Sequence, residues 1–568
     1  MKCSDYIANF FAEKETEFSY IFTGGAIAHV IDSFYRYHKS SNTKLLKPIC
    51  VLHEQAGSMA MDAYTRVTGK PGVMLVTSGP GATNLLTGVA CSWYDSIPGI
   101  YISGQVRTWE IAKGKQRQLG FQETNIVDMA KPITKYAKLI TKAEDIPYEL
   151  EKAYSISISG RPGPVLLDIP MNVQWAEIDI NKIKKIYQTK KIVKDNKGVN
   201  TKYINSTIKL LLNSKKPLIL AGAGITSAKA KSELDKFTNL INIPVVTSFG
   251  GKTTVSYDNP NYSGMIGTMG LKPSNKLIDE CDLLIAIGSR LSWRQIRSSP
   301  ETFAKKAKII HIDIDKHELN KKVKTKYAYA ADVKEFLSAL LNVKEKFKKM
   351  DFSYWRDSCR KNFLDYRLYN NKEISDKKKV NPYYFFEVLS DNMKDNDILI
   401  PDAGQNVMWA MQQSKIRKNQ QIITSWGHSP MGYSLPASMG VSAIKNLKGN
   451  VICTIGDGGF QVNIQELQTI KSNNLSIKIF ILNNSSFGAI KDFIRDNLDA
   501  RYFAVDSNDG YTPPDLLSIS RSYGFKTFEI SNNENLKNIK KILKMKGSVI
   551  CNVDLGKETF VTLDPVKK

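Results

Sequence analysis

Short apolar runs recur along the chain, and segments with the apolar spacing of helices lie between them. In the N-terminal part the runs are rich in β-branched and aromatic residues, which favours strands. They cover residues 20–22, 49–52, 73–77, 100–103 and 165–169. Strands that alternate with helices in this way are typical of a doubly wound parallel sheet. The pattern therefore predicts an α/β domain over residues 1–175.

The same alternation occurs twice more along the chain. The runs of the second region are residues 217–221, 245–247, 283–287 and 309–312, and those of the third are 398–400, 451–455 and 477–482. A lysine-rich segment at 176–200 and a polar, basic and aromatic segment at 344–380 are predicted as linkers. We therefore expect three doubly wound domains in series, the second over residues 201–343 and the third over 381–568.

Polar residues stand at the ends of two neighbouring strands in the third region. The run 451–455 leads into Gly456, Asp457, Gly458 and Gly459, and the run 477–482 closes on Asn483 and Asn484. A helix-like segment between the runs predicts parallel neighbours, whose carboxyl ends lie side by side. Asp457 offers a carboxylate oxygen and Asn484 a neutral carbonyl oxygen, as magnesium prefers, while glycine amides can approach an anion. The stretch predicts a phosphate-and-metal site.

Composition narrows the class of protein. With 568 residues and 42% hydrophobic content, the chain can bury several cores. No apolar run approaches the roughly 18–20 residues that cross a bilayer, and residues 1–11 lack the features of a signal peptide, which predicts a cytoplasmic protein without a membrane partner. The seven cysteines are scattered and never spaced as CxxC, so we expect small buried side chains rather than disulfides or zinc ligands.

The formal net charge of +25 raises nucleic-acid binding as the principal non-enzymatic alternative. The distribution of the charge argues against it. Lysines concentrate in segments that resemble linkers or solvated helices, at 181–197, 344–349 and 377–379, without an aromatic ladder or a nucleic-acid module. We therefore expect no nucleic-acid partner.

The third-region motif resembles the signature of thiamine diphosphate (ThDP) enzymes, and the order of three domains resembles their acetohydroxyacid (acetolactate) synthase branch. The resemblance implies that Asp457, Asn484 and the Ser486 carbonyl hold magnesium. It also implies that the surrounding residues bind the cofactor, namely Gly456, Gly458, Gly459, Phe487 and Gly488. In that family each cofactor lies between two subunits, so a homo-oligomer, at least a dimer, is expected.

Glu54 follows the run 49–52 within a His-Glu-Gln sequence and opens a helix rich in small residues. The family's catalytic glutamate matches this position. There, a carboxylic acid that is hydrogen-bonded to the pyrimidine ring of ThDP helps the cofactor to remove its own thiazolium proton. The alternative is a glutamate that only interacts with the helix dipole. The small-residue turn at 77–84 is expected to face the cofactor or the acceptor.

Two further segments match the family. Met431 lies in a glycine- and proline-rich stretch and corresponds to the bulky residue beneath the bend of ThDP, while the Ser429 carbonyl would accept a hydrogen bond from the aminopyrimidine. The segment after the run 398–400 resembles the family's diphosphate loop, with Asp402, Gly404, Gln405 and Asn406. Asn406 replaces the usual histidine.

The resemblance implies decarboxylation of a 2-keto acid, pyruvate in the first instance, and transfer of the resulting enamine to an acceptor carbonyl. Arg294 matches the arginine that holds the second keto acid, although a surface ion pair is the alternative. Phe493 occupies the position of the acceptor-selecting tryptophan. Phe121 and Gln122 are expected at the site, the first facing the substrate and the second as a catalytic residue.

The loop 107–120 is longer and more basic than in the biosynthetic enzymes and contains Lys113, Lys115 and Arg117. It resembles acetolactate synthase-like proteins of surface-polysaccharide and sugar-nucleotide pathways, as does the passage 501–514. The loop could meet the diphosphate of a keto sugar nucleotide, or it could simply be solvated. Acetolactate formation is the reference interpretation, carboligation onto a keto sugar nucleotide is the close alternative, and simple decarboxylation comes third.

A second cofactor is left open. Ser227 stands where a GxGxxG motif needs its third glycine, which argues against a nicotinamide dehydrogenase. The family's flavin region is partly matched, so FAD is kept as an alternative. The matching residues are Gly222, Gly224, Met265, Gly267, Arg290 and Asp313.

Overall fold

The computed structural model describes residues 1–41, 44–181, 198–375 and 378–563. The lysine-rich stretch at 182–197, which forms most of the first predicted linker, lies outside the described residues, as does part of the stretch at 377–379. Three six-stranded parallel sheets follow one another along the chain. The predicted fold class, three α/β domains in series, is therefore confirmed. The exact domain boundaries stay predictions.

The first sheet has the order β2-β1-β3-β4-β6-β5. Its strands are β1 (Phe18–Ile21), β2 (Lys47–Cys50), β3 (Gly72–Val76), β4 (Gly99–Gln105), β5 (Tyr136–Leu139) and β6 (Pro164–Pro170). Its helices are Cys3–Glu13, Ala28–Ser40, Glu54–Thr68, Pro80–Asn84, Leu86–Asp95, Ile126–Ala130, Ile146–Ile158 and Met171–Trp175. The helix that begins at Glu54 follows β2, so its first residue lies at the carboxyl edge of the sheet.

The second sheet has the order β12-β11-β10-β7-β8-β9. Its strands are β7 (Pro217–Ala221), β8 (Val245–Thr247), β9 (Tyr262–Met265), β10 (Leu283–Ile287), β11 (Lys308–Asp313) and β12 (Tyr327–Ala330). Its helices are Thr201–Leu212, Gly224–Ser227, Lys231–Ile241, Lys272–Glu280 and Val333–Asn342, and Ser353–Asp365 and Asn371–Ile374 lead to the third domain.

The third sheet has the order β14-β13-β15-β16-β18-β17. Its strands are β13 (Ile398–Pro401), β14 (Gln421–Ile422), β15 (Val451–Gly456), β16 (Ile477–Asn483), β17 (Lys526–Ile530) and β18 (Val549–Asp554). Its helices are Pro382–Asn392, Gln405–Gln413, Ser434–Ser442, Asp457–Val462, Glu466–Ser472, Gly488–Asn497, Leu516–Ser522 and Ile539–Leu543. β15 and β16 pair in parallel, as their sequence spacing predicted.

The first and third domains share a hydrophobic core. The helix Glu54–Thr68 packs directly on the helix Ser434–Ser442. Gly440 permits this approach, because a Cβ atom at that position would lie 1.9 Å from the Ala60 carbonyl oxygen. The helix that begins at Glu54 is thus fixed against the third domain of the same chain. None of the helices among the described residues has the length and apolar character to span a membrane.

Candidate active site

Asp457 and Asn484 meet where β15 and β16 end. The Asp457 carboxylate accepts a hydrogen bond from the Asn484 backbone N–H, and its Oδ2 accepts one from the Tyr511 hydroxyl at 2.8 Å. Burial raises the pKa of Asp457 to about 6. The structure therefore brings together the two side chains that the sequence placed at this edge, and it adds Tyr511 from a segment 54 residues further along the chain.

The donor atoms at this edge suit a hard cation with few protein ligands. Among the described residues, no cluster of three or more His, Cys, Asp or Glu side chains could hold a metal ion. Magnesium does not need such a cluster, because it commonly takes one or two carboxylates, with water and substrate phosphates completing its shell. One carboxylate, one amide and the Ser486 carbonyl fit that pattern. The Ser486 hydroxyl is buried without a hydrogen-bond partner in the described structure.

The start of the helix Gln405–Gln413 forms the neighbouring part of the edge. Gly404 precedes it with φ of 82°, in the region that favours glycine. The Asn406 side chain is buried, and its Oδ1 accepts from the Thr454 hydroxyl at 3.0 Å. Its Nδ2 has no acceptor among the described residues. A buried amide donor without a partner fits an anionic group such as a diphosphate, since an unpaired buried donor is otherwise costly.

Two residues of the predicted diphosphate loop use their polar atoms within the protein instead. Asp402 accepts from the backbone N–H groups of Gly432 and Ser434, both at 3.0 Å. Gln405 donates from Nε2 to Asp492 Oδ2 at 2.8 Å and to the Thr559 carbonyl at 2.9 Å. The Gln405 side-chain amide is thus engaged within the chain, and Asp402 holds the segment around Met431. Burial raises the pKa of Asp402 to about 6.

Met431 lies beside the glycine-rich turn at residues 456–459, which follows β15. Ser429 and Gly432 flank it with φ values of 54° and 76°. A Cβ atom on Gly458 would lie 3.3 Å from the Met431 Cε and 2.8 Å from the Phe487 ring. Met431 is 42% exposed, which is unusual for a methionine that only fills a core. The placement agrees with a side chain that supports a bound cofactor.

The segment that leads to Met431 is anchored by the first domain. Asp95 accepts from the backbone N–H groups of Trp426 at 2.6 Å and Gly427 at 2.8 Å. Arg66 binds the same carboxylate at 2.8 Å and Asp62 at 2.6 Å, and all three charged side chains are buried. The sequence analysis did not identify this contact, because no local pattern links residues 331 positions apart.

We expect Asp95→Ala to lower the free energy of unfolding by about 3–5 kcal/mol, because Arg66 would keep a buried charge with one partner fewer. It should also weaken ThDP binding, since the Trp426–Gly427 backbone would lose both acceptors. Thermal unfolding and calorimetric titration would measure the two effects. Asp32→Ala is the matched control, since it breaks an exposed ion pair with Arg36 and should cost at most about 1 kcal/mol. Equal stability of the two variants would refute the anchoring role.

Glu54 is buried at the start of its helix. Its Oε2 accepts from the Asn84 side-chain amide at 2.9 Å, and a Cβ atom on Gly81 would lie 3.2 Å from its Oε1. The turn 77–84 therefore faces Glu54, and its orientation toward the cofactor or the acceptor stays a prediction. A glutamate that only interacted with a helix dipole would not need burial or an amide partner. No hydrogen bond among the described residues connects Glu54 to Asp457.

Glu466 is a buried carboxylate that the sequence analysis did not identify. Its Oε1 accepts from the Leu52 backbone N–H at 3.0 Å, and the His53 N–H also reaches the carboxylate. Burial raises the pKa of Glu466 to about 7. A side chain of the third domain thus holds the turn that carries Glu54.

Comparison with known proteins agrees with this geometry. Three family models match in the expected order: the thiamine pyrophosphate enzyme N-terminal TPP binding domain over residues 1–129, the central domain over 204–340, and the C-terminal TPP binding domain over 402–553. Thiamine pyrophosphate is another name for ThDP. The acetolactate synthase large subunit of Cyanidium caldarium is 35% identical over 555 residues, which cover 96% of this chain and 92% of that protein.

A probable acetolactate synthase large subunit of Methanococcus aeolicus is 36% identical over 545 residues, covering 93% of this chain and 88% of that protein. Acetolactate synthase 2, chloroplastic, of Nicotiana tabacum is 33% identical over 545 residues, covering 94% and 79%. The chain belongs to the acetolactate synthase family of thiamine pyrophosphate enzymes. The predicted family, enzyme class and ThDP cofactor are thereby confirmed.

The predicted substrate residues of this acetolactate synthase-like enzyme lie at the surface of the single chain. Phe121 is 86% exposed and Phe493 is 57% exposed. Arg294 is also exposed, and among the described residues it makes no ion pair, so the surface-pair alternative is not observed. Gln122 has φ of 59°, and a Cβ atom on Gly79 would lie 2.8 Å from its carbonyl oxygen. Gln122 thus packs on the turn that faces Glu54.

The basic loop of this family member is well organised. The Glu123 carboxylate accepts from the backbone N–H groups of Ala112 and Leu119, both at 2.7 Å, and of Gly120 at 3.3 Å. The loop side chains Lys113, Lys115 and Arg117 are exposed and have no ion-pair partner in the described part of the chain. One carboxylate therefore fixes the loop backbone, while Arg107 pairs with Glu110 and the three exposed cations Lys113, Lys115 and Arg117 keep no acidic partner within the described chain.

The residues considered for FAD lie along the carboxyl edge of the second sheet. A Cβ atom on Gly222 would lie 2.1 Å from the Gly288 carbonyl oxygen, and one on Gly224 would lie 2.7 Å from the Gly288 Cα. Asp313 accepts from the Asp315 N–H at 2.9 Å, and Met265 is fully buried. These contacts are internal to the domain.

Proposed function

We propose that the chain binds ThDP with magnesium at the carboxyl edge of the third sheet, decarboxylates pyruvate and transfers the two-carbon unit to an acceptor carbonyl. The observation that carries the proposal is the position of Asp457 and Asn484 at the adjoining carboxyl ends of two parallel strands, where the Asn484 backbone N–H faces the Asp457 carboxylate. Sequence similarity to acetolactate synthases over nearly the whole chain supports it.

Each residue has a proposed role. Asp457, Asn484 and the Ser486 carbonyl hold magnesium, and Asn406 Nδ2 and the backbone around Gly404 face the diphosphate. When bound, ThDP would supply a carbon nucleophile for the keto acid and would accept the electron pair that stays behind when carbon dioxide leaves. Glu54 holds a proton at the pyrimidine ring nitrogen, and the burial of its carboxylate limits exchange of that proton with water.

We infer that the complete site needs a second copy of the chain, in a homodimer or a larger homo-oligomer. Glu54 contacts Asn84 in its own domain, without a hydrogen bond to the metal edge within the described chain. The exposure of Phe121, Met431 and Phe493 supports a covering surface. Light scattering of the purified protein tests this, and a monomer that turns over pyruvate would contradict it.

The acceptor has two candidates. A second pyruvate, which gives acetolactate, is the reference. A keto sugar nucleotide is the second candidate, supported by the free cations of the loop 107–120 and by Trp109 in the same loop, which is 61% exposed. Pyruvate consumption and products should be measured with and without keto sugar nucleotides. Acetolactate at ordinary turnover would reject the sugar candidate, and turnover only with the sugar would reject the reference. Acetaldehyde as the only product would support simple decarboxylation.

If the sugar nucleotide is the acceptor, Lys113→Gln, Lys115→Gln and Arg117→Gln combined should raise its KM at least about tenfold, because charge-assisted contacts to the diphosphate would be lost. Pyruvate decarboxylation without the sugar should not change. Lys305→Gln, Lys306→Gln and Lys308→Gln remove the same charge from an exposed part of the central domain and serve as the control. An unchanged KM in the loop variant would exclude this role of the loop.

FAD and a cytoplasmic location stay predictions. Flavin absorbance of the purified protein would establish FAD, and colourless active enzyme would exclude it as a required cofactor.

A further inference from the structure

The side-chain amide of Asn484 is held by two acceptors. Its Nδ2 donates to Gln405 Oε1 at 3.0 Å and to Thr559 Oγ1 at 3.1 Å. The side chain is almost fully buried, and no donor from the described part of the chain reaches Oδ1. An amide has two N–H donors and one carbonyl oxygen, so this arrangement uses both donors and leaves the oxygen for another group.

The orientation of the amide follows from groups that can only accept. Gln405 Nε2 donates to Asp492 Oδ2 at 2.8 Å and to the Thr559 backbone carbonyl at 2.9 Å. Burial raises the pKa of the Asp492 carboxyl, whereas the Gln405 hydrogen bond and Arg495, which lies 3.1 Å from the other carboxylate oxygen, favour the ionised form. An ionised carboxylate and a backbone carbonyl cannot donate, so Gln405 must turn its NH2 group toward them. Gln405 Oε1 then faces Asn484, so Asn484 must donate from its own NH2 group.

The surrounding chain is built to hold these two amides together. A Cβ atom on Gly488 would lie 2.0 Å from Gln405 Oε1 and 2.7 Å from Asn484 Nδ2, so only glycine leaves room for the pair. The tail that carries Thr559 is docked on the helix Gln405–Gln413, where Trp409 donates to the Phe560 carbonyl at 3.1 Å. Thr559 lies beyond the segment that matches the C-terminal family model, which ends at residue 553.

We propose that Asp492, Gln405 and Thr559 are positioning residues that fix the Asn484 amide with Oδ1 directed to the divalent cation. The proposal rests on the proposed metal role of Asn484. Partners of metal ligands commonly set ligand orientation, and their loss costs about 10- to 100-fold in metal affinity. The tail of the chain therefore belongs to the metal site although it supplies no ligand.

The test measures Mn²⁺ binding to the full-length protein with ThDP by electron paramagnetic resonance. Thr559→Val removes the hydroxyl acceptor but keeps the shape and the backbone carbonyl, and it should weaken Mn²⁺ binding about 10- to 100-fold. Thr559→Ser should restore it. Asp492→Asn should weaken binding similarly, because an amide can also donate and thus permits the reversed orientation of Gln405.

Thr562→Val is the matched control. It changes a hydroxyl in the same tail, near Tyr383 and away from Asn484, and should bind Mn²⁺ as the wild type does. Asn484→Ala separates the two claims. If Asn484→Ala leaves Mn²⁺ affinity unchanged, the proposed metal site is wrong. If Asn484→Ala abolishes binding while Thr559→Val and Asp492→Asn bind normally, or if Thr559→Ser fails to restore affinity, the positioning role is overturned and the metal site stands.

Discussion

Glu54→Gln should lower kcat for pyruvate consumption by about 10²- to 10⁴-fold, the usual contribution of a positioned acid or base. The substitution keeps the shape of the side chain, and the remaining carbonyl oxygen can still accept from Asn84. The substitution removes the carboxylic proton of Glu54, which we assign to a hydrogen bond with the pyrimidine ring nitrogen. ThDP should therefore still bind, and calorimetric titration beside a turnover assay would show this separation.

Glu335→Gln is the control for a general effect of a helix-terminal charge. Glu335 is an exposed glutamate in the first turn of the helix Val333–Asn342, so its loss affects only that helix dipole. Turnover of this variant should match the wild type. Near-normal turnover of Glu54→Gln would contradict the catalytic assignment, and loss of ThDP binding in that variant would point to a structural role instead.

Asp457→Ala should abolish metal-dependent binding of ThDP. Residues that merely orient a metal ligand contribute about 10- to 100-fold to affinity, so removal of the one carboxylate in the proposed ligand set should cost more than about 100-fold. Asn484 would also lose the carboxylate that its backbone N–H contacts. Titration of ThDP with Mg²⁺ present, and again with a chelator, would give the metal-dependent part of the affinity.

Asp554→Ala provides the comparison. Asp554 lies at the end of β18, next to Asn483 on β16, and accepts from the Gly556 N–H at 2.9 Å. The substitution removes an acid from the same sheet edge and leaves Asp457 in place. ThDP binding should therefore keep its dependence on Mg²⁺. An Asp457→Ala protein with unchanged ThDP affinity would exclude the metal site proposed here.

The interior strands of the three sheets could be recognised from the sequence, whereas most edge strands could not. β5, β9, β12, β14 and β17 were not anticipated, and each lies at a sheet edge. β5, β12, β14 and β17 are only partly buried, so their apolar pattern is weaker, whereas β9 is buried but has Ser263 and Gly264 in its middle. β18 was also missed, although it is internal, because Asn552 and Asp554 interrupt its apolar run.

In the candidate site, features that depend on local sequence could be predicted, whereas contacts between distant parts of the chain could not. The turn Gly456–Gly459 and the paired asparagines predicted that Asp457 and Asn484 meet at one sheet edge, because strand ends and turn residues are local features. Tyr511, Glu466 and Asp95 were missed because their partners are distant in sequence. Tyr511 lies 54 residues from Asp457, Glu466 lies 414 from Leu52, and Asp95 lies 331 from Trp426. The motif likewise indicated Gln405 but could not show that Asp492 and Thr559 occupy its amide.

The fate of pyruvate labelled with carbon-13 at its carbonyl carbon tests the assignment most directly. With ThDP and Mg²⁺, the wild-type protein should release unlabelled carbon dioxide. The label should appear in a product whose two-carbon unit is joined to an acceptor by a new carbon–carbon bond. Glu54→Gln should form almost none of it. Absence of pyruvate consumption by folded, ThDP-bound wild-type protein in the presence of candidate acceptors, or label recovered only in acetaldehyde, would contradict the proposed carboligation.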